Sequence, residues 1–456
     1  MNVIYINTHD SGRMLSPYGY DIPTENLKKL AEDSVVFTNA FCAGPTCSPS
    51  RAALLTGTFP HQNGMLGLAQ RGFSLYNPEK HLANFLKNNG YNTCLCGIQH
   101  EYGWYLDLEK NGLHNLGYNE VLTTDSKSFK KEELHLWDRN NAVEVVKWLD
   151  NYNEEKPFLL SFGMHSTHRP YPVEVAEFID ERYVVPPYPI TNNEENRHDH
   201  AQYMTTAHYA DENIKMIVDA LKRNNLYENS IIIFTTDHGL ALPFNKCNLT
   251  DTGIGVSLIM KVPNADSNGK VVDSLVSQID VFPTLCELLN LNKPDYLEGK
   301  SFAESFADNK AFLDEYIFAE VNFHTSYEPV RCVRTKRYKY IKYYDETWNK
   351  VNLSNMDESV PKDFLMNNGL KEKVKYREGL FDLYYDPTER NNLVDDIKYK
   401  EILKNLRKVL LEKQIKTDDP ILKGALEIKK GYKVNKVECE TASSKNKDDY
   451  IHIIKK

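Results

Sequence analysis

Short apolar runs alternate with amphipathic stretches along most of the chain. "NVIYIN" (Asn2–Asn7) has the continuous apolar character of a strand covered on both faces. "PTENLKKLAEDS" (Pro23–Ser34) sets Leu27 and Leu30 on one face of a helix. "VVFTNAFC" (Val35–Cys42) predicts a strand. "LANFLKNNG" (Leu82–Gly90) predicts a helix stopped by Gly90, and "YNTCLCG" (Tyr91–Gly97) a strand with Cys94 and Cys96 as small fillers of one face. The order repeats as a helix over 141–152, a strand "PFLLSFG" (Pro157–Gly163), a long helix over 203–226 and a strand "SIIIFTTD" (Ser230–Asp237). Strands separated by helices predict an α/β fold, a mostly parallel sheet flanked by helices. After about Glu315 the texture changes. "IFAEV", "VRCVRT", "YKYIKYYD" and "GLFDLYYDPTERNNL" predict an antiparallel sheet, followed by a helix over 397–416. The chain thus divides into a large domain over 1–315 and a smaller C-terminal α+β subdomain over 316–456. The charged tail "ETASSKNKDDYIHIIKK" reads as a loosely held end.

Composition narrows the partners. The chain has 456 residues, 41% hydrophobic and 26% charged, with a formal net charge of −9. That length exceeds one simple core. The acidic balance weighs against nucleic acid or an anionic membrane as main partner, yet permits a local basic pocket for a small anion. No apolar run reaches the roughly 18 residues of a membrane span. "MNVIYIN" has no basic, then apolar leader, and the eight cysteines show no CxxC or zinc spacing. Both features read as a cytoplasmic chain with free thiols.

Ligands of open α/β sheets bind beyond the carboxyl ends of the strands. His9 and Asp10 follow the first strand, and His100 follows "YNTCLCG". "MHSTHRP", with His165, His168 and Arg169, follows "PFLLSFG". Asp237 and His238 end the last. One histidine at a strand end is commonly a hydrogen-bonded structural group, and an aspartate before a glycine is commonly turn chemistry. Four such ends together predict a site. Carboxylates and imidazoles from separate strands suit a divalent cation, with Asp10, Asp237 and His238 as first ligands. His165, His168, Arg169 and Lys246 form a cationic rim that stabilises an oxyanion. For Arg169, structural and substrate-binding roles stand level. The electrostatics point to metal-assisted hydrolysis of a sulfate or phosphate ester.

"PTCSPSRAALLTG" (Pro45–Gly57) predicts a helix with Ser48 as N-cap, Pro49 as first residue and Gly57 as stop. Cys47 then stands before a helix N-terminus, with Arg51 one turn in. This position acidifies a thiol, but it equally suits a small buried residue at a tight turn. "CSPSR" with "AALLTGTFPHQNGM" resembles the sulfatase signature, in which the cysteine is oxidised to formylglycine. "FTTDHG", "SQIDVFPTLCELLNL", "EGKSF" and "RTKRYKYI" are similar to later family segments. "FGMHSTHRPY" and "TDHGLALPFNKCNL" resemble the heparan N-sulfatases.

The resemblance implies an alkaline-phosphatase-like fold with residues 1–315 as catalytic domain. It implies a bound calcium ion, formylglycine made from Cys47 by a maturation enzyme, and a small sulfated saccharide as substrate. It assigns Asp10, Asp237 and His238 to the metal, Arg51 to the nucleophile and sulfate, and His165 to the leaving group or to bridging the sulfate. The resemblance also implies that His100 assists the nucleophile or its later breakdown and that Lys246 binds sulfate. Two positions depart from the family. His9 replaces the first aspartate of its Asp-Asp pair, which removes a negative charge and leaves open whether His9 ligates. Ile98 replaces the lysine of Gly-Lys-x-His. The expected reaction is hydrolysis of a sulfated amino sugar, the sulfamate first and an O-sulfate second. The alternatives are a phosphonate or phosphate ester hydrolase of the same superfamily and a non-catalytic sugar-binding relic.

Overall fold

In the computed structural model, which describes residues 1–103, 110–311 and 313–451, fourteen strands form three sheets. They are β1 (Asn2–Thr8), β2 (Val35–Phe37), β3 (Ala40–Phe41), β4 (Asn92–Gly97), β5 (Glu120–Val121), β6 (Phe158–Gly163) and β7 (Ser230–Thr236). There follow β8 (Leu258–Lys261), β9 (Val271–Val272), β10 (Val276–Ser277), β11 (Ile317–Phe323), β12 (Tyr327–Arg334), β13 (Tyr338–Tyr343) and β14 (Glu378–Asp382). The large sheet has the order β5-β4-β6-β1-β7-β8-β2-β9. Only β8 runs against its neighbours.

Alternation along the central strands shows why both faces are covered. Val3 and Tyr5 of β1 face one core with Leu54 and Leu55 of the helix Cys47–Thr56 and Leu86 of the helix Leu82–Asn88. Ile4 and Ile6 face the other. Leu27 and Leu30 of the helix Glu25–Glu32 pack there with Val145 of Leu134–Asn151 and Ile214 and Ile217 of Glu194–Arg223. Each fully buried aliphatic side chain contributes about 1.5–3 kcal/mol. Cys94 and Cys96 fill that second face, as their alternation predicts.

The antiparallel sheet β11-β12-β13-β14 also packs on two sides. Val333, Tyr340 and Leu380 meet Leu403, Leu406 and Leu410 of the helix Lys400–Lys416. Val321, Val330 and Cys332 join the core under the large sheet.

Several boundaries differ from the sequence reading. The strand expected over Val35–Cys42 divides. β2 joins the large sheet, and β3 pairs with β10. The break follows from Thr38 and Asn39, whose side chains donate to Asp273 Oδ1 at 2.7 Å and to its carbonyl at 2.9 Å. β8 lies in a short run without alternation, which carries no strand signal in the sequence. The tail is not loose where it is described. Ile451 N donates to Val434 O at 2.8 Å, Lys436 N to Asp449 O at 2.7 Å and Arg71 Nη2 to Ala442 O at 2.5 Å. Residues 452–456 of that expectation lie outside the described residues.

Candidate active site

Four adjacent parallel strands, β4, β6, β1 and β7, end level with one another. Gly97 pairs with Gly163, Gly163 with Asn7, and Thr8 with Thr236. Histidines and aspartates that follow these strands therefore meet at one edge. Beyond β1 the chain turns sharply, with Asp10 at φ 44°. Asp237 holds the turn, because its Oδ1 accepts from Asp10 N at 2.9 Å and from His238 N at 3.0 Å. Its Oδ2 lies 3.0 Å from His9 Nδ1. The segment after β6 is fastened to β1. Met164 N donates to Asn7 O at 3.0 Å, His9 N to Ser166 O at 3.1 Å and Thr167 Oγ1 to His9 O at 2.5 Å. From the helix Leu134–Asn151, the buried carboxylate of Asp138 accepts from His165 N at 2.7 Å and from Ser166 N and Oγ at 2.8 and 2.7 Å. Burial pushes this carboxyl up to about 7 against those donors.

The helix over the signature starts earlier than its sequence suggests. Thr46, with φ −137° and ψ 144°, is the N-cap, and Cys47 itself opens the helix. Ser48 does not cap; its Oγ accepts from Ala69 N at 3.0 Å. Pro49 is thus the third residue, still within the first turn, where no N–H is needed. Gly57 ends the helix at φ 64° as expected. All ten residues are buried, so the segment is a packed core element. Arg51 ties it to two strand ends. Its Nε and Nη2 each lie 3.2 Å from Asp237 Oδ2, Nη2 also donates to Thr8 O at 3.2 Å, and Nη1 donates to Asn7 Oδ1. Ser50 Oγ donates to Asp237 O at 2.5 Å. Cys47 Sγ sits 3.4 Å from His238 Nε2. The expected acidification is overturned. Burial pushes the thiol well above its ordinary range, Lys246 opposes that, and Asp10, Asp237 and Asp357 add to it.

The donor set fits a divalent cation. His9, Asp10, Cys47 and Asp237 each place a ligand atom within 4.8 Å of the others. Asp10 Oδ1 is buried and accepts no hydrogen bond among the described residues; His238 Nε2 lies 3.3 Å away. His238 Nδ1 lies 2.9 Å from Gly239 O, which only a protonated Nδ1 can satisfy. Nε2, 3.3 Å from Asp10 Oδ1 and 3.4 Å from Cys47 Sγ, is the ring atom left to face an ion, the arrangement of a metal-bound histidine whose other nitrogen donates to a carbonyl. His9 does not turn away but belongs to the cluster. Burial would raise Asp237, yet His238, Arg51 and His9 hold it well below the usual carboxylate range.

The rim is cationic on one side and neutral on the other. Lys246 Nζ bridges Asp10 Oδ2 at 3.1 Å and Asp357 Oδ2 at 3.0 Å. Burial opposes its charge, but the two carboxylates hold it well above the lysine range. The His168 and His100 rings lie 5.2 and 5.4 Å from that of His9, and the His165 ring lies 5.2 Å from that of His168. Burial first, then the neighbouring histidines and the charges of Arg51 and Lys246, holds His100 and His165 well below the histidine range, so both are neutral imidazoles. Arg169 is committed elsewhere. It pairs bidentately with Asp199 at 2.6 and 2.6 Å, donates from Nε to Ala241 O at 2.9 Å, and stacks on Tyr171. Ile98 packs against Leu134 and Trp137, so the missing lysine has no charged substitute at that position. Sequence reasoning missed Asp138, Asp357 and His324. Asp357 follows the turn Leu353–Asn355, and His324 stands between β11 and β12. Asn355 joins these two segments, its Oδ1 accepting from Thr325 N at 3.0 Å. None of the three lies in a motif, and only the fold brings them near.

Comparison with known proteins matches residues 1–291 to the sulfatase family and residues 237–375 to the C-terminal region of N-sulphoglucosamine sulphohydrolase. Human N-sulphoglucosamine sulphohydrolase is 24% identical over 92% of this chain and 91% of its own. An ulvan-active sulfatase of Formosa agariphila is 25% identical over 90% of this chain and 74% of its own. Among solved structures, the phosphonate monoester hydrolase of Agrobacterium radiobacter superposes with a TM-score of 0.71 at 18% identity, covering 91% of this chain and 96% of that one. With the first of these matches spanning the large sheet and the whole strand-end cluster, the chain belongs to the sulfatase family, hydrolases of sulfate esters with an alkaline-phosphatase-like fold.

Proposed function

We propose that this sulfatase acts on a sulfated amino sugar, with the sulfamate of glucosamine as the preferred substrate and an O-sulfate as the second choice. The observation that carries the reading is the match of residues 237–375 to the C-terminal region of N-sulphoglucosamine sulphohydrolase. That segment contains Lys246, His324 and Asp357, which gather at one side of the cluster.

Asp10, Asp237, His238 and His9 would hold a divalent cation, which when bound supplies positive charge to polarise the sulfate oxygens. The two carboxylates favour calcium, and His9 widens the choice toward softer ions. Oxidation of Cys47 to formylglycine would supply a hydrated aldehyde as nucleophile. The remaining residues have roles that follow from their placement. Arg51 fixes Asp237 and the first turn of the helix, so residue 47 keeps its direction toward the cluster. Lys246 neutralises sulfate oxygens, and His168, whose Nε2 lies 3.9 Å from Asp10 Oδ2 at the same side, is placed to hydrogen-bond them. The neutral His100 ring takes a proton from the nucleophile's side. His165 delivers a proton to the leaving nitrogen or oxygen; the negative charge of bound sulfate raises its proton affinity from the low resting value.

A phosphonate ester is the second reading, supported by the fold likeness to a phosphonate monoester hydrolase. The test is a ranking of kcat/KM for glucosamine N-sulfate, glucosamine 6-O-sulfate and a phosphonate monoester on one preparation. The proposal expects the N-sulfate to lead. A phosphonate monoester turned over faster than both sulfated sugars contradicts it.

A further inference from the structure

Beside the cluster lies a cavity of about 450 Å³ between the segment after β7 and the antiparallel sheet. Its size is that of a small-ligand pocket. Cys247 and Met356 line the cavity, and their chain neighbours Lys246 and Asp357 form the 3.0 Å ion pair at the cluster.

The walls combine aromatic faces with uncommitted cations. Tyr188, Phe244, Tyr343 and Tyr376 supply rings. Arg390 donates from Nε to Tyr188 Oη at 2.7 Å and stacks 4.5 Å over that ring. Neither of its Nη groups has a protein partner among the described residues. Lys373 lies 5.6 Å over the Phe244 ring and has no carboxylate partner among the described residues. The acidic residues of the wall are already matched. Glu328 takes Lys375 at 2.5 Å and Asn355 Nδ2 at 2.9 Å, and Glu389 takes Lys339 at 2.8 Å. Asn352, also in the wall, has a buried side-chain oxygen with no donor among the described residues. Rings suit the C–H faces of a sugar, the free cations suit a carboxylate or sulfate, and the unpaired oxygen suits a hydroxyl.

We propose that this cavity binds the neighbouring, non-reacting anionic sugar of an oligosaccharide whose sulfate is cleaved at the cluster. The inference rests on the saccharide reading of the reaction centre. Lys373→Ala with Arg390→Ala is the perturbation, because both side chains are exposed and outside the cluster. Two substrates are compared, glucosamine N-sulfate and the disaccharide that joins it to a hexuronic acid. Loss of two charged contacts lowers kcat/KM for the disaccharide by about tenfold to a hundredfold through KM, with kcat and the monosaccharide unchanged. An equal change for both substrates, or none, overturns the cavity assignment while leaving the reaction assignment intact. If the wild-type protein cleaves neither, the reaction reading fails. Titration calorimetry of the same disaccharide with Cys47→Ala protein then decides the cavity. Binding weakened by the double substitution supports it, and binding unaffected by the substitution or undetectable in both proteins overturns it.

Discussion

Asp138 is the carboxylate on which the placement of His165 rests, and Asp138→Asn isolates that role. The substitution keeps shape and removes one acceptor. The amide oxygen can keep the place of Oδ2, which accepts from Ser166 N and Oγ. The amide nitrogen then faces His165 N, which loses its 2.7 Å acceptor. One orphaned, buried N–H costs about 1–3 kcal/mol. For a chain of this size that lowers Tm by only about 1–3 °C. The effect on turnover is larger, because moving a reacting group by about 1 Å costs on the order of a hundredfold. The assay is kcat and KM on a sulfated sugar at pH 8, above the value of about 7 to which burial raises Asp138, with Tm and metal content measured alongside. We expect kcat to fall about tenfold to a hundredfold with metal content unchanged. A lowered Tm with full kcat would show that Asp138 only stabilises the fold, and it would refute the positioning argument.

Lys246→Met leaves Asp10 and Asp357 buried without their shared cation. Breaking a buried pair costs about 3–5 kcal/mol, so Tm falls and KM for a sulfated substrate rises; an unchanged KM contradicts its sulfate role. His9→Asp adds a carboxylate beside Asp237, and metal analysis is expected to show tighter calcium retention; identical metal content and rate place His9 outside the ligand set. His61→Gln removes a buried pair remote from the cluster, in which His61 Nδ1 lies 2.5 Å from Glu320 Oε2. Burial opposes the His61 charge, but Glu320 holds it above the usual histidine value; burial likewise opposes Glu320, but His61 and Arg331 hold it below the carboxylate value. Glu320's contribution is lost as pH falls through its depressed value, and that of His61 as pH rises through its elevated one. The Tm gap between wild type and variant is therefore expected to be widest near pH 6 and to narrow toward pH 9; a gap that widens with alkaline pH contradicts the pairing.

Much of the site was legible because strand ends are legible. The continuous apolar runs ending at Asn7, Gly163 and Thr236 locate β1, β6 and β7, and the residues after them are polar in a pattern that only a shared sheet edge explains. Local chemistry was less legible at the signature itself. Thr46 rather than Ser48 caps the helix, because the bend of the chain at Pro45–Thr46 is decided by packing against the segment around Cys247, whose N–H donates to Pro45 O at 2.8 Å. The same packing buries Cys47, so desolvation outweighs the cationic neighbour Lys246 in setting the thiol's proton affinity. Asp138 and Asp357 were illegible for another reason. A carboxylate within a helix and one in a loop carry no local signal, and their partners lie far away in sequence. Arg169 shows the converse. It follows His168 in a suggestive motif, but Asp199 from the helix Glu194–Arg223 takes its fork.

The most direct test of the account is the state of residue 47. The protein is isolated from its own cells, and the peptide bearing Cys47 is analysed by mass spectrometry in parallel with turnover of a sulfated amino sugar. The account predicts an aldehyde at residue 47, with activity in proportion to its occupancy and none in Cys47→Ala. A fully active preparation carrying only the unmodified thiol would contradict it.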